Sequence, residues 1–308
     1  MTRENVLKTL VRDELSQGVL PQISEMAAAI AAQHPGARAV LFYGSCLREA
    51  KLDGLMLDFY LIVEDYRTAY RARWLSIANR LIPPNVFPFA HGGLSAKYAV
   101  LSMADFTREC GLHARSVSVW ARFAQPSRLV WAKDETVMKA VSATVAEASV
   151  TLFQRTLPVM PGEVDFTNLD IWLRGFALTY GAELRAERGN RSAAIVTSNA
   201  QRYDCFGSAV LREIAISSGV GPNGEVALWK RTDHAAREWR WLQRKGKLLT
   251  VLRLAKATFT FAGGIDYLAW KINRHAGTHI AITPWQRRHP ILAGLLLVPR
   301  LLGQGAVK

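Results

Sequence analysis

The stretch LFYGSCLREAKLDGLMLDFYLIV at positions 41–63 decides the fold of this chain. One apolar run ends at Gly44-Ser45 and a second covers 55–63, with Asp58 inside it, thirteen residues beyond Ser45. Such runs, rich in β-branched and aromatic residues and bounded by turn residues, predict two buried strands. Because a lone carboxylate is costly inside an apolar strand, Asp58 should meet a metal ion, a basic side chain, or solvent at an open strand end.

Beside Asp58, the Gly-Ser turn has the features of a phosphate-binding turn. With no side chain at Gly44, backbone N–H groups and the Ser45 hydroxyl can approach phosphate oxygens, especially if a helix begins at Cys46. Arg48 follows one turn later. The alternatives are an ordinary turn at Gly44-Ser45 and a strand-end cap or salt bridge at Asp58.

Periodicity divides the rest of the chain into two halves. A helical lead-in at 1–35 is followed by strands at 38–43, 55–63, 96–101 and 128–132, with helical pieces between them. Beyond 134 the pattern predicts helices near 136–155, 169–187, 206–217 and 226–261. We therefore expect an α/β domain at 1–156, a helical domain at 157–262 and a basic, amphipathic region at 263–308, with the segment 157–168 as the hinge.

Composition limits the class of protein. Half of the residues are hydrophobic and 21% are charged, which excludes a wholly disordered chain. The three cysteines stand apart in sequence, so neither a zinc knuckle nor a disulfide scaffold is indicated. The first fifteen residues lack the apolar core of a signal peptide, and the apolar run at 291–302 would be about 18 Å long as a helix, too short for a bilayer. These features predict a cytoplasmic protein without a spanning helix.

Charge points to a polyanionic partner. The formal net charge is +14 and the isoelectric point is near 10.0, but these values alone leave nucleic acid, nucleotide and anionic lipid open. From position 230 onward, fifteen lysines and arginines stand against three acidic residues. The charge is therefore concentrated in the last quarter of the chain.

The layout of the deciding segment resembles the nucleotidyltransferase fold shared by polymerase-β-like enzymes. Their signature is a Gly-Ser turn followed, after about ten residues, by a strand that bears metal-binding aspartates. The usual second aspartate lies two positions after the first, where this chain has Tyr60. A tyrosine is not an ordinary Mg²⁺ ligand, so this chain departs from the general signature at that position.

Three further motifs narrow the resemblance. LDFYLIVEDYRTAY, AKYAVLSMADF and WARFAQPSRLVWAKD occur in this order and are similar to motifs of the mitochondrial phosphatidate cytidylyltransferases, the translocator assembly and maintenance family, and their bacterial relatives. The match covers positions 41–134, with looser support from FAGGIDYLAWKINRHAG and QRRHP. That family also lacks the second aspartate. The tract ANRLIPPNVFPF departs from the family's pattern at the place expected to form the acceptor pocket.

The resemblance implies a polymerase-β-like nucleotidyltransferase domain followed by a helical one, and a Mg²⁺-dependent transfer of CMP from CTP to phosphatidate. It implies that Asp58, with Asp53 or another carboxylate, holds Mg²⁺, and that Ser45 and backbone amides bind the leaving pyrophosphate. Lys97 would offset charge at the α-phosphate. The full set of implied catalytic and nucleotide-binding residues is Gly44, Ser45, Arg48, Asp58, Lys97, Tyr98 and Arg122. Each of three residues also has a purely structural interpretation. Asp53 would be a turn residue, Lys97 a solvated strand lysine, and Arg122 a member of a structural ion pair.

Two further sets of polar residues, at 180–191 and 275–279, have more than one interpretation. Tyr180, Glu183, Arg185 and Arg191 either reach the nucleotide from the helical half or form a solvated helix face. His275 and His279 are four apart, but Gly277 lies between them and no third ligand follows in register, so zinc is not expected.

The last quarter of the chain predicts a docking region for an anionic membrane surface. Basic residues at 237, 240, 244 and 247 follow three- and four-residue steps, which place them along one side of a helix. Five tryptophans share this quarter, at positions 229, 239, 241, 270 and 285. The expected location is therefore the cytoplasmic face of a membrane, with no specific nucleic acid as partner. The alternatives are a solvated helix whose tryptophans lie in the core, nucleic-acid binding by an inert nucleotidyltransferase-like module, or transfer to a small molecule or RNA.

Overall fold

The first half of the chain folds into a five-stranded sheet with helices on both faces. The computed structural model describes residues 5–48, 52, 54–161, 166–183, 191–217, 233–260 and 282–285. The strands are β1 (Ala37–Tyr43), β2 (Met56–Val63), β3 (Asn85–His91), β4 (Leu94–Ser102) and β5 (Ser127–Ala132). The helices of this half are α1 (Val6–Leu15), α2 (Pro21–Ala32), α3 (Tyr66–Ala69), α4 (Arg73–Leu81), α5 (Met103–Cys110) and α6 (Trp120–Phe123).

The second half is helical in the residues that the structure describes. Its helices are α7 (Glu135–Thr156), α8 (Asn168–Tyr180), α9 (Arg191–Thr197), α10 (Ala200–Ser217) and α11 (Asp233–Thr260). Side-chain caps start several of them. Asp134 accepts from the backbone N–H of Val137 at the start of α7, and Thr167 with Asp170 forms a capping box at α8. The predicted mixed sheet with flanking helices, followed by a helical region, is confirmed.

The strand order β3-β4-β2-β1-β5 places the two predicted site strands at the centre of the sheet. β2 pairs in parallel with β4, while the other neighbours are antiparallel. The register sets Asp58 opposite Tyr43 on one side and Lys97 on the other. Three residues that lie apart in sequence therefore share one row across the sheet.

Alternation along the strands sends side chains into two separate cores. The outer core lies between the sheet and the helices α2 and α3, and it includes Val40, Phe59 and Val100. The inner core lies on the face that carries Asp58, and includes Leu41, Tyr60 and Leu101. Its members continue without a break into α7, α8, α10 and α11, among them Phe153, Trp172, Tyr203 and Trp239.

The expected domain boundary at 156/157 coincides with the end of α7, where a short 3₁₀ turn, Leu157–Val159, follows. Because the inner core crosses this position, the helical half packs directly on the sheet. Part of the expected hinge, 162–165, lies outside the described residues, as does nearly all of the region 263–308.

One strand was not expected from the sequence. β3 contains Pro88, which pairs with Lys97 of β4 at the edge of the sheet. Proline has no N–H for a ladder and is confined to edge strands, so the pattern around 83–89 did not predict a strand. Among the described helices, none combines the length and apolarity needed to cross a bilayer.

Candidate active site

The turn after β1 lies directly above the Asp58 carboxylate. Gly44 has a φ of +99°, a conformation that L-residues with side chains rarely adopt, and a Cβ there would lie 3.4 Å from Asp58 Oδ2. Ser45 begins a 3₁₀ turn, Ser45–Arg48, at the place where the sequence predicted a short helical piece between the two strands. Gly44 and Ser45 are both exposed, so solvent reaches the turn.

Asp58 and Lys97 form an ion pair across the parallel strands. Lys97 Nζ lies 3.0 Å from Asp58 Oδ1, and the two side chains are 28% and 24% exposed. Asp58 Oδ1 nevertheless accepts no hydrogen bond of good geometry from the described residues. The contact is thus an electrostatic one, and Oδ1 itself is buried from solvent.

Aromatic rings fill the inner face beside this pair. Tyr60 occupies the position of the second aspartate in the polymerase-β-like signature and is only 2% exposed. Its ring packs 5.3 Å from that of Tyr43 and 5.2 Å from that of Phe123. Burial raises the pKa of Tyr60, so its hydroxyl stays protonated. Among these groups, Asp58 alone carries a carboxylate.

A second ion pair joins Arg122 of α6 to Glu183, which follows α8 in the helical half. Arg122 Nη1 lies 3.1 Å from Glu183 Oε1 and also donates to the carbonyl of Ser118. Burial raises the pKa of Tyr43, and the Asp58 charge raises it further, whereas Arg122, hydrogen-bonded to Tyr43, lowers it. Burial alone would lower the pKa of Arg122. The charge of Glu183, with Tyr60 and Tyr43, outweighs this effect, so the pKa of Arg122 is raised. Arg122 is therefore a permanent cation beside Tyr43, the residue that pairs with Asp58 in the register of β1 and β2.

Helix α11 adds Arg253, which the sequence did not single out as a site residue. Its guanidinium donates to the carbonyl of Pro83 at 2.8 Å, to Ser118 Oγ at 2.7 Å and to Ser116 Oγ at 3.2 Å. Burial lowers the pKa of Arg253, the nearby Tyr60 raises it, and Arg122 lowers it. In the sequence, Arg253 was one basic residue among many near the C-terminus, and nothing there indicated that it folds back onto the sheet.

The remaining predicted residues fall in different places. Tyr98 follows Lys97 in β4 and so points to the opposite face, where its hydroxyl lies 3.1 Å from His34 Nε2 in the outer core. The structure therefore does not bring Tyr98 together with Asp58. Arg48 ends the 3₁₀ turn, and Tyr180 is the last residue of α8.

The other predicted positions are described only in part. Arg191 begins α9. Asp53, Arg185, His275 and His279 lie outside the described residues.

The donor set suits Mg²⁺ that arrives with a nucleotide rather than a cage made by protein alone. In the described part of the chain, no group of three or more histidine, cysteine or acidic side chains is placed to hold a metal ion. Mg²⁺ sites that act on nucleotides commonly use one or two carboxylates, with phosphates and water as the other ligands. Asp58 fits that role, because its side chain is 24% exposed and its buried Oδ1 has no hydrogen-bond donor among the described residues.

Comparisons with known proteins give only a distant structural likeness. No protein-family profile matches the chain, and no curated protein matches it. Among solved structures, it is similar to a nucleotidyltransferase-like protein from Exiguobacterium sibiricum, with 10% sequence identity, a TM-score of 0.29 and coverage of 92% of each chain. At that identity and TM-score the likeness carries no information about what this chain binds.

Proposed function

We propose that the chain is a nucleotidyltransferase that moves CMP from CTP to phosphatidate and releases pyrophosphate. The observation that carries the nucleotidyltransferase part is the partly exposed Asp58–Lys97 pair beneath the Gly44 turn. CTP and phosphatidate are supported by the sequence motifs at 41–134 alone.

The site supplies charge and position rather than a general base. A phosphate monoester has a second pKa of about 6, so the attacking phosphatidate oxygen is already anionic near neutral pH. That oxygen forms a bond to the α-phosphorus, the bond from the α-phosphorus to the bridging oxygen breaks, and pyrophosphate leaves with the electron pair. Such a transfer depends on alignment and on neutralisation of charge.

Each residue has a definite task in this scheme. Asp58 would hold Mg²⁺, which supplies charge neutralisation to the nucleotide phosphates when bound. Lys97 would donate to an α-phosphate oxygen. The backbone at Gly44 and the Ser45 hydroxyl would donate to the departing pyrophosphate, and Arg122 would contribute a fixed positive field from α6.

The test is transfer of label from α-labelled CTP into phosphatidate vesicles, with each of the other three nucleotides in parallel. We expect label in lipid with CTP and Mg²⁺, and a loss of at least about 100-fold with Asp58→Asn. Asp13→Asn is the matched control, because the Asp13 side chain is 66% exposed on α1.

Three outcomes would redirect the proposal. Nucleotide binding without lipid labelling would indicate another acceptor, such as a small molecule or RNA. Salt-sensitive binding of RNA or DNA, with no metal-dependent nucleotide affinity, would indicate an inert nucleic-acid-binding module. Equal labelling by wild type and Asp58→Asn would overturn the role of the carboxylate.

A further inference from the structure

Helix α4 turns its apolar side outward. Trp74, Ile77 and Leu81 are 49%, 60% and 70% exposed. At 3.6 residues per turn, these three side chains lie within about 60° of arc on the helix. The opposite side of α4 is buried and carries the polar Ser76 and Asn79, 8% and 0% exposed, beside the partly buried Leu75. The usual arrangement of an amphipathic helix on a globular core is therefore reversed.

Hydrogen bonds of Asn79 fix this orientation. Its amide nitrogen donates to the carbonyl of Val100 at 2.9 Å and to the Tyr70 hydroxyl at 3.0 Å. Its side-chain oxygen accepts from the backbone N–H of Asn85. Rotating α4 to bury its apolar side would leave these buried groups unpaired, at a cost of about 1–3 kcal/mol each. The apolar stripe is thus held at the surface by the polar anchor beneath it.

The surroundings of the stripe are basic. Arg73 and Arg80 are exposed and lie along one flank of it, and Arg71, also exposed, lies two residues before the helix begins. No aspartate or glutamate occurs from position 66 to position 104. The partner that complements an apolar stripe flanked by arginines is apolar and negatively charged.

We propose that the α4 face, formed by Arg73, Trp74, Ile77, Arg80 and Leu81, docks on an anionic lipid bilayer. Trp sits favourably at the headgroup level, Ile and Leu enter the acyl boundary, and Arg pairs with lipid phosphates. The chain's own C-terminal residues are a poor alternative occupant, since 261–308 carry six basic residues against one acidic residue.

Helix α11 carries a second stripe of the same kind. Trp241, Leu248 and Leu252 are 58%, 60% and 39% exposed and lie within about 40° of arc. Exposed Arg237 and Arg244 share that side. The two helices also meet, because Lys256 of α11 donates to the carbonyls of Ile82 and Pro84, just past the end of α4. The α4 face is the better surface to test, because the hydrogen bonds of Asn79 keep its apolar side chains out of the core.

Vesicle sedimentation of the full chain tests the docking face without CTP, so its outcome is independent of the transfer reaction. The vesicles are phosphatidylcholine alone or mixed equally with phosphatidylglycerol. Replacing Trp74, Ile77 and Leu81 together by Ser should lower partitioning onto the mixed vesicles by at least about tenfold. Arg73→Gln and Arg80→Gln should each lower it about fivefold, and only when the anionic lipid is present. Ile216→Ser is the matched control, because Ile216 is 70% exposed on α10.

A fluorescent probe locates the contact directly. Cys46 and Cys110 are buried, so Leu81→Cys with Cys205→Ser gives one accessible thiol for a polarity-sensitive label. The label should shift to shorter wavelength on adding mixed vesicles, while the same label at Ile216→Cys should not. A label at position 81 that is already shielded before vesicles are added would place another part of the chain or a second copy on α4 and overturn the proposal. Unchanged emission with vesicles present would do the same.

Discussion

Replacing Gly44 by alanine tests whether the turn positions the Asp58 carboxylate. The substitution has two separable costs. A non-glycine residue at positive φ costs roughly 1–2 kcal/mol, which should appear as lower stability. The new Cβ would also lie 3.4 Å from Asp58 Oδ2, at the short limit of van der Waals contact, and would place a methyl group against the carboxylate. The second cost falls on the proposed chemistry.

Gly93→Ala separates the two costs. Gly93 has a φ of +77° in the turn between β3 and β4, and a Cβ there meets nothing within 4 Å. Both variants should lose about 1–2 kcal/mol of unfolding free energy in urea melts. Only Gly44→Ala should lower the rate of label transfer from CTP, by at least about tenfold, which corresponds to about 1.4 kcal/mol in the barrier. Equal transfer rates for the two variants, or an equal loss in both, would refute the positioning argument.

Three other perturbations have defined outcomes. In a double-mutant cycle measured on the rate of label transfer, the losses from Asp58→Asn and Lys97→Met should be strongly non-additive, because the two side chains form an ion pair. Additive losses would contradict a shared role. Glu183→Gln should cost about 1–3 kcal/mol of unfolding free energy, since it leaves Arg122 with a weaker partner, and an unchanged urea midpoint would contradict this. Burial lowers the pKa of Lys256 from 10.5 to about 7, so the folded state binds fewer protons than the unfolded state between these values. The free energy of unfolding should therefore rise above pH 7 by up to about 1.4 kcal/mol per pH unit, a rise that Lys256→Met should abolish in urea melts.

The central strands were predictable because their signals are local. An apolar run that ends in Gly-Ser, and a second that encloses one Asp, predicted β1, β2 and the turn between them. The expectation that Asp58 must find a basic side chain, a metal ion or an open strand end is met by Lys97 and by partial exposure to solvent. Pairing of these two residues depends on the parallel alignment of β2 with β4, which hydrophobic periodicity does not specify.

Contacts between distant segments could not be read from the sequence. Arg122 with Glu183 and Arg253 with Pro83 join positions 61 and 170 residues apart. The implied role of Tyr98 as a nucleotide ligand came from the resemblance, whereas strand alternation places Tyr98 on the face opposite Lys97. Trp239, counted among the membrane-facing tryptophans, is 4% exposed and packs against Trp120. Trp241 is exposed, and Arg237, Arg240, Arg244 and Lys247 form the exposed basic side predicted for α11.

The unbroken inner core has a consequence for how ligand binding will be detected. Because Tyr60 beside the site and Trp172 in α8 belong to one packed cluster, the two halves should melt together in calorimetry. A ligand at one hundred times its Kd adds about 2.7 kcal/mol to the folded state, and a cooperative unit distributes that gain over the whole molecule. Nucleotide bound beside Asp58 should then raise the melting temperature reported by tryptophans far from it in α8 and α11. A single thermal-shift measurement on the whole chain can therefore screen nucleotides and metal ions before any acceptor is known.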